Sequence, residues 1–95
     1  MEWESRLNRV RVATHDGDFD LHWEEREELL ALLRGTPDAK GAIDRFMAVR
    51  ATRPVELTDE QKVIVVSAVE AAWGASEALH ELRYVISEEL DVAAA

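Results

Sequence analysis

Seven carboxylates lie between residues 16 and 28, and they are the densest set of chemically active side chains in the sequence. They are Asp16, Asp18, Asp20, Glu24, Glu25, Glu27 and Glu28, and together they are called the acidic face. Counted from the first of them, several occupy ligand positions of a twelve-residue calcium loop. Position 6 of such a loop requires glycine for its sharp turn, and here that position is Leu21. We therefore interpret the acidic face as a binding surface and not as a calcium site.

A second candidate is the motif Glu77-x-x-His80, whose spacing places a carboxylate and an imidazole on one side of a helix. A carboxylate-bridged di-iron site uses two such motifs and two further glutamates. Only one motif is present, so a metal site would need a second subunit, with Glu70 as a further ligand. A boundary position beside an apolar stripe explains His80 more simply. Glu77 and His80 are weak metal candidates, and no cofactor is predicted.

Nucleophilic catalysis finds little support in the sequence. The chain has no cysteine, and none of its serines lies in the strained G-x-S-x-G turn of a nucleophile. No glycine-rich phosphate-binding loop is present. The missing cysteines also exclude disulfides and thiolate zinc sites, and they favour a reducing compartment. These patterns favour a non-enzyme and leave the question open.

The net charge of −9 limits the class of partner. Nucleic acid is an unsuitable ligand because its phosphates need cations, although an acidic protein can mimic DNA and compete with it. Apolar runs are far too short to cross a bilayer, which predicts a soluble, cytoplasmic protein. A basic block at residues 34–53 follows the acidic face. Either this block packs beside the acids and balances them, or the acidic face is offered to a basic partner.

The periodicity of apolar residues predicts a mainly α, α+β fold over a single domain, 1–95. A β-hairpin is expected at about 9–22, with Asp16-Gly17 as its two-residue turn and Val10 facing Trp23. The predicted helices that pack on it cover about 23–34, 37–52, 58–73 and 76–90, followed by a frayed tail at 91–95.

The stretch Val55–Trp73 predicts the central helix of the core. Thr58 and Gln61 fit a capping box, and the following residues are apolar almost all round, which is typical of a buried helix. Trp23 and Trp73 both fall on predicted core faces. Trp3 is interpreted either as an exposed interface anchor or as a cover for the hairpin.

The segments 19–34 and 55–70 resemble each other without gaps. Phe19 aligns with Val55, and each copy is a short extended segment, a cap, an acidic first turn and an apolar run. Either the two are a duplicated unit, or any entry from a strand into a helix has this pattern. A duplicated unit predicts that Val55–Leu57 is extended and lies beside the hairpin.

Three classes of function follow from these patterns. The first is a small acidic protein-interaction module, such as a regulator, an adaptor or an immunity-type inhibitor, that binds a basic protein partner. The second is a structural homo-oligomer, for example a homodimer. The third is a metal-dependent enzyme with a site assembled across subunits.

Overall fold

The computed structural model describes residues 9–48 and 53–94, with side chains up to residue 91. Within these ranges a two-stranded antiparallel hairpin is followed by four helices, which confirms the predicted α+β class. Trp3 lies outside the described residues. The elements are β1 (Arg9–Thr14), β2 (Gly17–His22), α1 (Trp23–Arg34), α2 (Lys40–Met47), α3 (Asp59–Glu70) and α4 (Glu77–Ala94).

The hairpin turn lies one residue earlier than predicted. Thr14 pairs with Gly17, so His15 and Asp16 form the turn. Neither turn residue has a positive φ, whereas Gly17 has a φ of 103°. Glycine is therefore needed just after the turn, as in hairpins whose turn is followed by a left-handed residue.

This change moves every pairing partner by two positions and leaves the faces of the strands unchanged. Val10 lies opposite Leu21, and Val12 lies opposite Phe19. Side chains alternate along a strand, so a shift of two keeps these residues on the buried face. The predicted pairing of Val10 with Trp23 is wrong, because Trp23 is the first residue of α1.

A third extended segment lies beside the hairpin. Val55 forms a parallel bridge with Val12. Its amide donates to the Arg11 carbonyl at 2.7 Å, and its carbonyl accepts from the Ala13 amide at 2.9 Å. β1 is therefore central, and Val12 is flanked by Phe19 on one side and Val55 on the other. Phe19 and Val55 are also the aligned first residues of the two similar segments, 19–34 and 55–70.

The two similar segments also enter their helices in the same way. The N-cap residues His22 and Thr58 both have a φ of −71°, with ψ of 157° and 164°. Glu25 accepts the His22 amide at 2.8 Å, and Gln61 accepts the Thr58 amide at 2.9 Å. Segments 19–34 and 55–70 therefore pass from an extended strand into a helix in the same way, on opposite sides of β1.

α2 is shorter than the predicted helix at 37–52. It begins at Lys40, because Asp38 has a φ of 61° and does not fit the first turn of a helix. The Thr36 hydroxyl donates to the Leu32 carbonyl at 2.9 Å near the end of α1, so it does not cap α2. The helix ends at Met47, and residues 49–52 are outside the described part of the chain.

α3 begins after the predicted Thr58 cap but ends at Glu70, three residues before the predicted end at residue 73. The chain reverses there to reach α4, and Gly74 supplies a φ of 77° in the connection. Because the helix ends early, Trp73 is not carried on a helical face into the core. The prediction that α3 is buried all round is also wrong, because Val63 is 51% exposed.

α4 continues to Ala94, so the predicted helix end at residue 90 was four residues too early. No glycine or proline interrupts this stretch, and alanine has the highest helix propensity. The core lies between the buried face of the hairpin and the four helices. Its largest fully buried side chains are Phe46, Leu21, Leu29, Leu30, Leu33, Leu79, Leu82 and Ile86.

Candidate functional site

Three residues of the acidic face lie on the hairpin, and all three are exposed. Asp16 is in the turn, 3.6 Å from the His15 imidazole. Asp18 and Asp20 project from the solvent face of β2, and the Arg11 guanidinium on β1 lies 3.4 Å from the Asp18 carboxylate. Asp20 makes no hydrogen bond or ion pair with any described residue. The hairpin part of the acidic face is therefore only partly neutralised by the chain itself.

Two carboxylates of α1 have structural roles. Glu25 accepts the His22 amide and closes the first turn of α1. The Glu28 carboxylate accepts the Ser76 amide at 3.0 Å and holds the connection between α3 and α4 against α1. Glu24 is exposed and makes no contact of this kind within the described chain. The acidic face is thus a mixture of free and structurally bonded carboxylates, and not a uniform free surface.

The remaining carboxylate of the acidic face, Glu27, belongs to a cluster around Arg26 that the sequence analysis did not predict. Arg26 is only 4% exposed, and its Nε donates to the Phe46 carbonyl at 3.0 Å. Its Nη1 lies 2.7 Å from Glu27, and its Nη2 lies 3.7 Å from the Met47 sulfur. The guanidinium carbon is 4.0 Å from the Trp23 ring centroid. Trp23 covers Arg26 and is itself 39% exposed. The prediction that Trp23 lies in the core is therefore wrong.

The described part of the basic block does not balance the acidic face through ion pairs. Arg34, Lys40, Arg45 and Arg53 form no ion pair among residues 9–48 and 53–94. The cations that do pair with carboxylates come mainly from β1, α1, α3 and α4. Negative charge on the acidic face therefore remains available to an external cation.

The metal candidates Glu77 and His80 lie on α4, and both are exposed. No group of three or more histidine, aspartate or glutamate side chains among the described residues is arranged to hold a metal ion. Glu70, the further ligand considered, instead accepts from the Arg83 guanidinium at 3.2 Å. The described chain therefore does not assemble the ligand set that the motif would need.

The outer face of α4 carries a tyrosine among acids. Tyr84 is exposed, and a hydrogen bond to Glu88 together with the charge of that carboxylate raises the pKa of Tyr84 above its ordinary value of 10.0. The phenol therefore stays protonated near neutral pH. It acts as a hydrogen-bond donor and not as a base.

Trp73 is the most exposed large apolar side chain in the described structure, at 102% of its reference area. The connection that carries it is hydrogen-bonded at both ends. The Ala71 amide donates to the Ser67 carbonyl at 3.0 Å, and the Ser76 amide donates to Glu28. The indole therefore projects from an anchored connection, beside the acidic helix α1.

A cleft of about 310 Å³ lies where the Val55 segment leaves β1. It is bounded by residues 13–15, by Glu56 and Leu57, and by Lys62 and Glu89 of the helices. Lys62 donates to Glu89 Oε1 at 2.6 Å. The other oxygen, Oε2, is buried without a hydrogen bond, and His15 Nδ1 is 3.9 Å from it. The lysine–glutamate pair joins α3 to α4 across the floor of the cleft.

We expect this pair to contribute measurably to stability. A double-mutant cycle with Lys62→Met and Glu89→Gln should give a coupling energy of about 1.5 kcal/mol, because the pair is shielded from water and its hydrogen bond is charged. Urea unfolding of the four proteins measures it. The Arg83–Glu70 pair joins the same helices at the surface and should give less than about 0.5 kcal/mol. Equal coupling in the two cycles would contradict the importance of shielding.

Comparisons with protein-family models, with curated proteins and with solved structures give no match for this chain. None of the described helices is both long and apolar enough to span a membrane.

Proposed function

We propose that this protein is a small, non-enzymatic interaction module that binds a basic surface of a partner protein. The observation that carries the proposal is the complete exposure of Trp73 on an anchored connection. The acidic face supplies charge complementarity for the partner. A regulator, an adaptor or an inhibitor would each use such a surface.

The exposed indole favours binding for a simple energetic reason. A tryptophan presents roughly 200 Å² of surface, and its burial gains about 5 kcal/mol at 25 cal/mol per Å². Ordering costs reduce that gain, but they are smaller when the anchor is held by an ordered backbone. Tryptophan is also among the residues most enriched at the energetic centres of protein interfaces. Trp73 therefore suits the role of an interface anchor.

The charges near this anchor indicate the kind of partner. Glu28 bonds the connection that carries Trp73, and Glu24 lies one helical turn earlier on α1, where it bonds to no other described residue. Lysine and arginine on another protein complement such carboxylates and accelerate association at low salt. A basic partner with a pocket for the indole fits both features.

The alternative functions have less support. Exposed apolar side chains such as Met47, Val63 and Tyr84 lie on three different helices and do not indicate a homodimer face. A metal-dependent enzyme would need ligands that Glu77 and His80 do not gather within the described chain. A DNA mimic remains a special case of the proposed module, in which the basic partner is itself a DNA-binding protein.

The proposal predicts that Trp73→Ala weakens partner binding without unfolding the protein. The partner is first captured on tagged protein at low salt, then purified and titrated by calorimetry. We expect the substitution to raise Kd by at least about thirtyfold, equivalent to about 2 kcal/mol, while the thermal midpoint stays unchanged because the Trp73 side chain is fully exposed.

Tyr84→Ala is the matched control, since it removes another exposed aromatic side chain, and it should bind within about twofold of the parent protein. Raising the salt concentration should weaken binding of the parent protein. The proposal is overturned if no partner is captured, or if the captured partner binds Trp73→Ala as tightly as it binds the parent.

A further inference from the structure

β2 has a free edge, and the hydrogen bonds of β1 show which main-chain groups point toward it. Arg11 and Ala13 direct their main-chain groups to Val55. The amide and carbonyl of one strand residue point to the same side. Val10, Val12 and Thr14 alternate with Arg11 and Ala13 along β1, so their main-chain groups must point to β2. Val12 thus exchanges its hydrogen bonds with Phe19, the residue opposite it.

The remaining residues of β2 point their main-chain groups outward. These are Asp18, Asp20 and His22. The His22 amide is already bonded to Glu25, which is consistent with its outward direction. No further strand pairs with β2 among the described residues. Asp18 and Asp20 therefore present main-chain groups that pair with no strand in the described part of the chain.

We infer that this edge accepts an extended peptide segment whose side chains alternate between basic and apolar, adding a strand next to β2. The inference rests on the proposed function, because Asp18 and Asp20 belong to the acidic face, and it specifies how part of that face binds. Strand addition uses main-chain hydrogen bonds for affinity and alternate side chains for specificity.

Charge favours a basic segment over a second copy of this chain. A neighbouring strand would lie about 4.8 Å from β2, so its side chains would meet Asp18 and Asp20 directly. Arg11 is on β1, one strand further away, and its contact with Asp18 is exposed and readily exchanged. Two copies of β2 placed edge to edge would instead bring aspartates together, which is destabilising.

The opposite face of the added strand would be apolar. Phe19 is half-buried, packs against the core and lies between Asp18 and Asp20 on the edge strand. An apolar side chain of the peptide would cover the part of Phe19 that remains exposed. The alternation of basic and apolar residues in the partner thus mirrors the alternation along β2.

The test uses the whole protein and a synthetic peptide of about eight residues that alternates arginine with valine. Two comparison peptides alternate glutamate with valine, or carry an N-methyl group on every amide, which blocks strand pairing at both edges. We expect only the unmodified basic peptide to bind. Binding should slow hydrogen exchange at the Asp18 and Asp20 amides, with little change at Phe19, whose amide is already bonded within the hairpin.

Substitutions separate charge from main-chain pairing. Asp18→Asn with Asp20→Asn should weaken binding about tenfold. Glu81→Gln with Glu88→Gln makes the same charge change on α4 and should have less than a twofold effect. The inference is overturned if the N-methylated peptide binds equally well, or if the Asp18 and Asp20 amides exchange at unchanged rates.

The same titration distinguishes this inference from the proposed function. Trp73→Ala should bind the basic peptide as well as the parent protein does, because Trp73 is not on β2. If the peptide does not slow hydrogen exchange at the Asp18 and Asp20 amides, while the captured partner still depends on Trp73, strand addition is rejected and the proposed function stands. If the peptide slows hydrogen exchange at these two amides but no partner depends on Trp73, the proposed interface anchor is rejected and strand addition stands.

Discussion

Replacing Arg26 by alanine should lower the free energy of unfolding by about 3 kcal/mol. The substitution removes a charged hydrogen bond to the buried Phe46 carbonyl and the stacking of the guanidinium on Trp23. It also removes the packing of a side-chain stem that is almost fully buried. Urea unfolding followed by circular dichroism gives the value, and a domain of this size has little stability to spare.

Two controls make the Arg26 experiment specific. Arg26→Lys keeps the positive charge but has one compact ammonium in place of a planar fork, so it should lose about half as much stability. Arg45→Ala removes an exposed arginine that forms no ion pair in the described structure, and it should change stability by less than about 0.5 kcal/mol. If Arg26→Ala behaves like Arg45→Ala, the cluster around Arg26 is not structurally important.

Replacing Val55 by proline should cost a similar amount, about 3 kcal/mol. Proline has no amide to donate to the Arg11 carbonyl, which leaves that acceptor without its partner. The buried valine side chain is also replaced by a ring of different shape. Because Val55 pairs with β1, slowly exchanging amides of the hairpin should become faster, and hydrogen exchange followed by NMR measures this.

Val55→Ala separates the side chain from the hydrogen bond. It keeps the amide and deletes two methyl groups, for an expected loss of about 1.5 kcal/mol. The difference between the proline and alanine variants then reports the bridge to β1. Equal losses in the two variants would mean that the bridge adds nothing to the stability of the sheet.

Local patterns were sufficient to predict much of the fold. The Thr58–Gln61 capping box and the alternating apolar residues of the hairpin depend on neighbours in sequence. The error in the turn did not change the buried face, because the pairing shifted by an even number of residues. Helix ends were less predictable, since Trp73 follows two alanines that suit a helix, while the reversal toward α4 is set by tertiary packing.

The candidate site was harder to predict because its contacts join distant parts of the chain. The acidic face was visible as a composition, but the bond from Glu28 to Ser76 was not. Arg26 lies within an acidic helix, and its burial depends on how α2 packs across α1, which its sequence neighbours do not show. The Lys62–Glu89 pair and the free edge of β2 likewise follow from the three-dimensional arrangement and not from spacing.

The central position of β1 has a consequence for biosynthesis. A ribosome makes β1 and β2 long before it makes Val55, and a two-stranded hairpin on its own is marginally stable in water. The strand that Val55 will later join therefore emerges with its second edge open, and the nascent hairpin lacks its third strand until α3 is being synthesised. We expect the N-terminal half to remain unfolded during translation, and a released fragment that ends near residue 48 to be a substrate for chaperones and proteases.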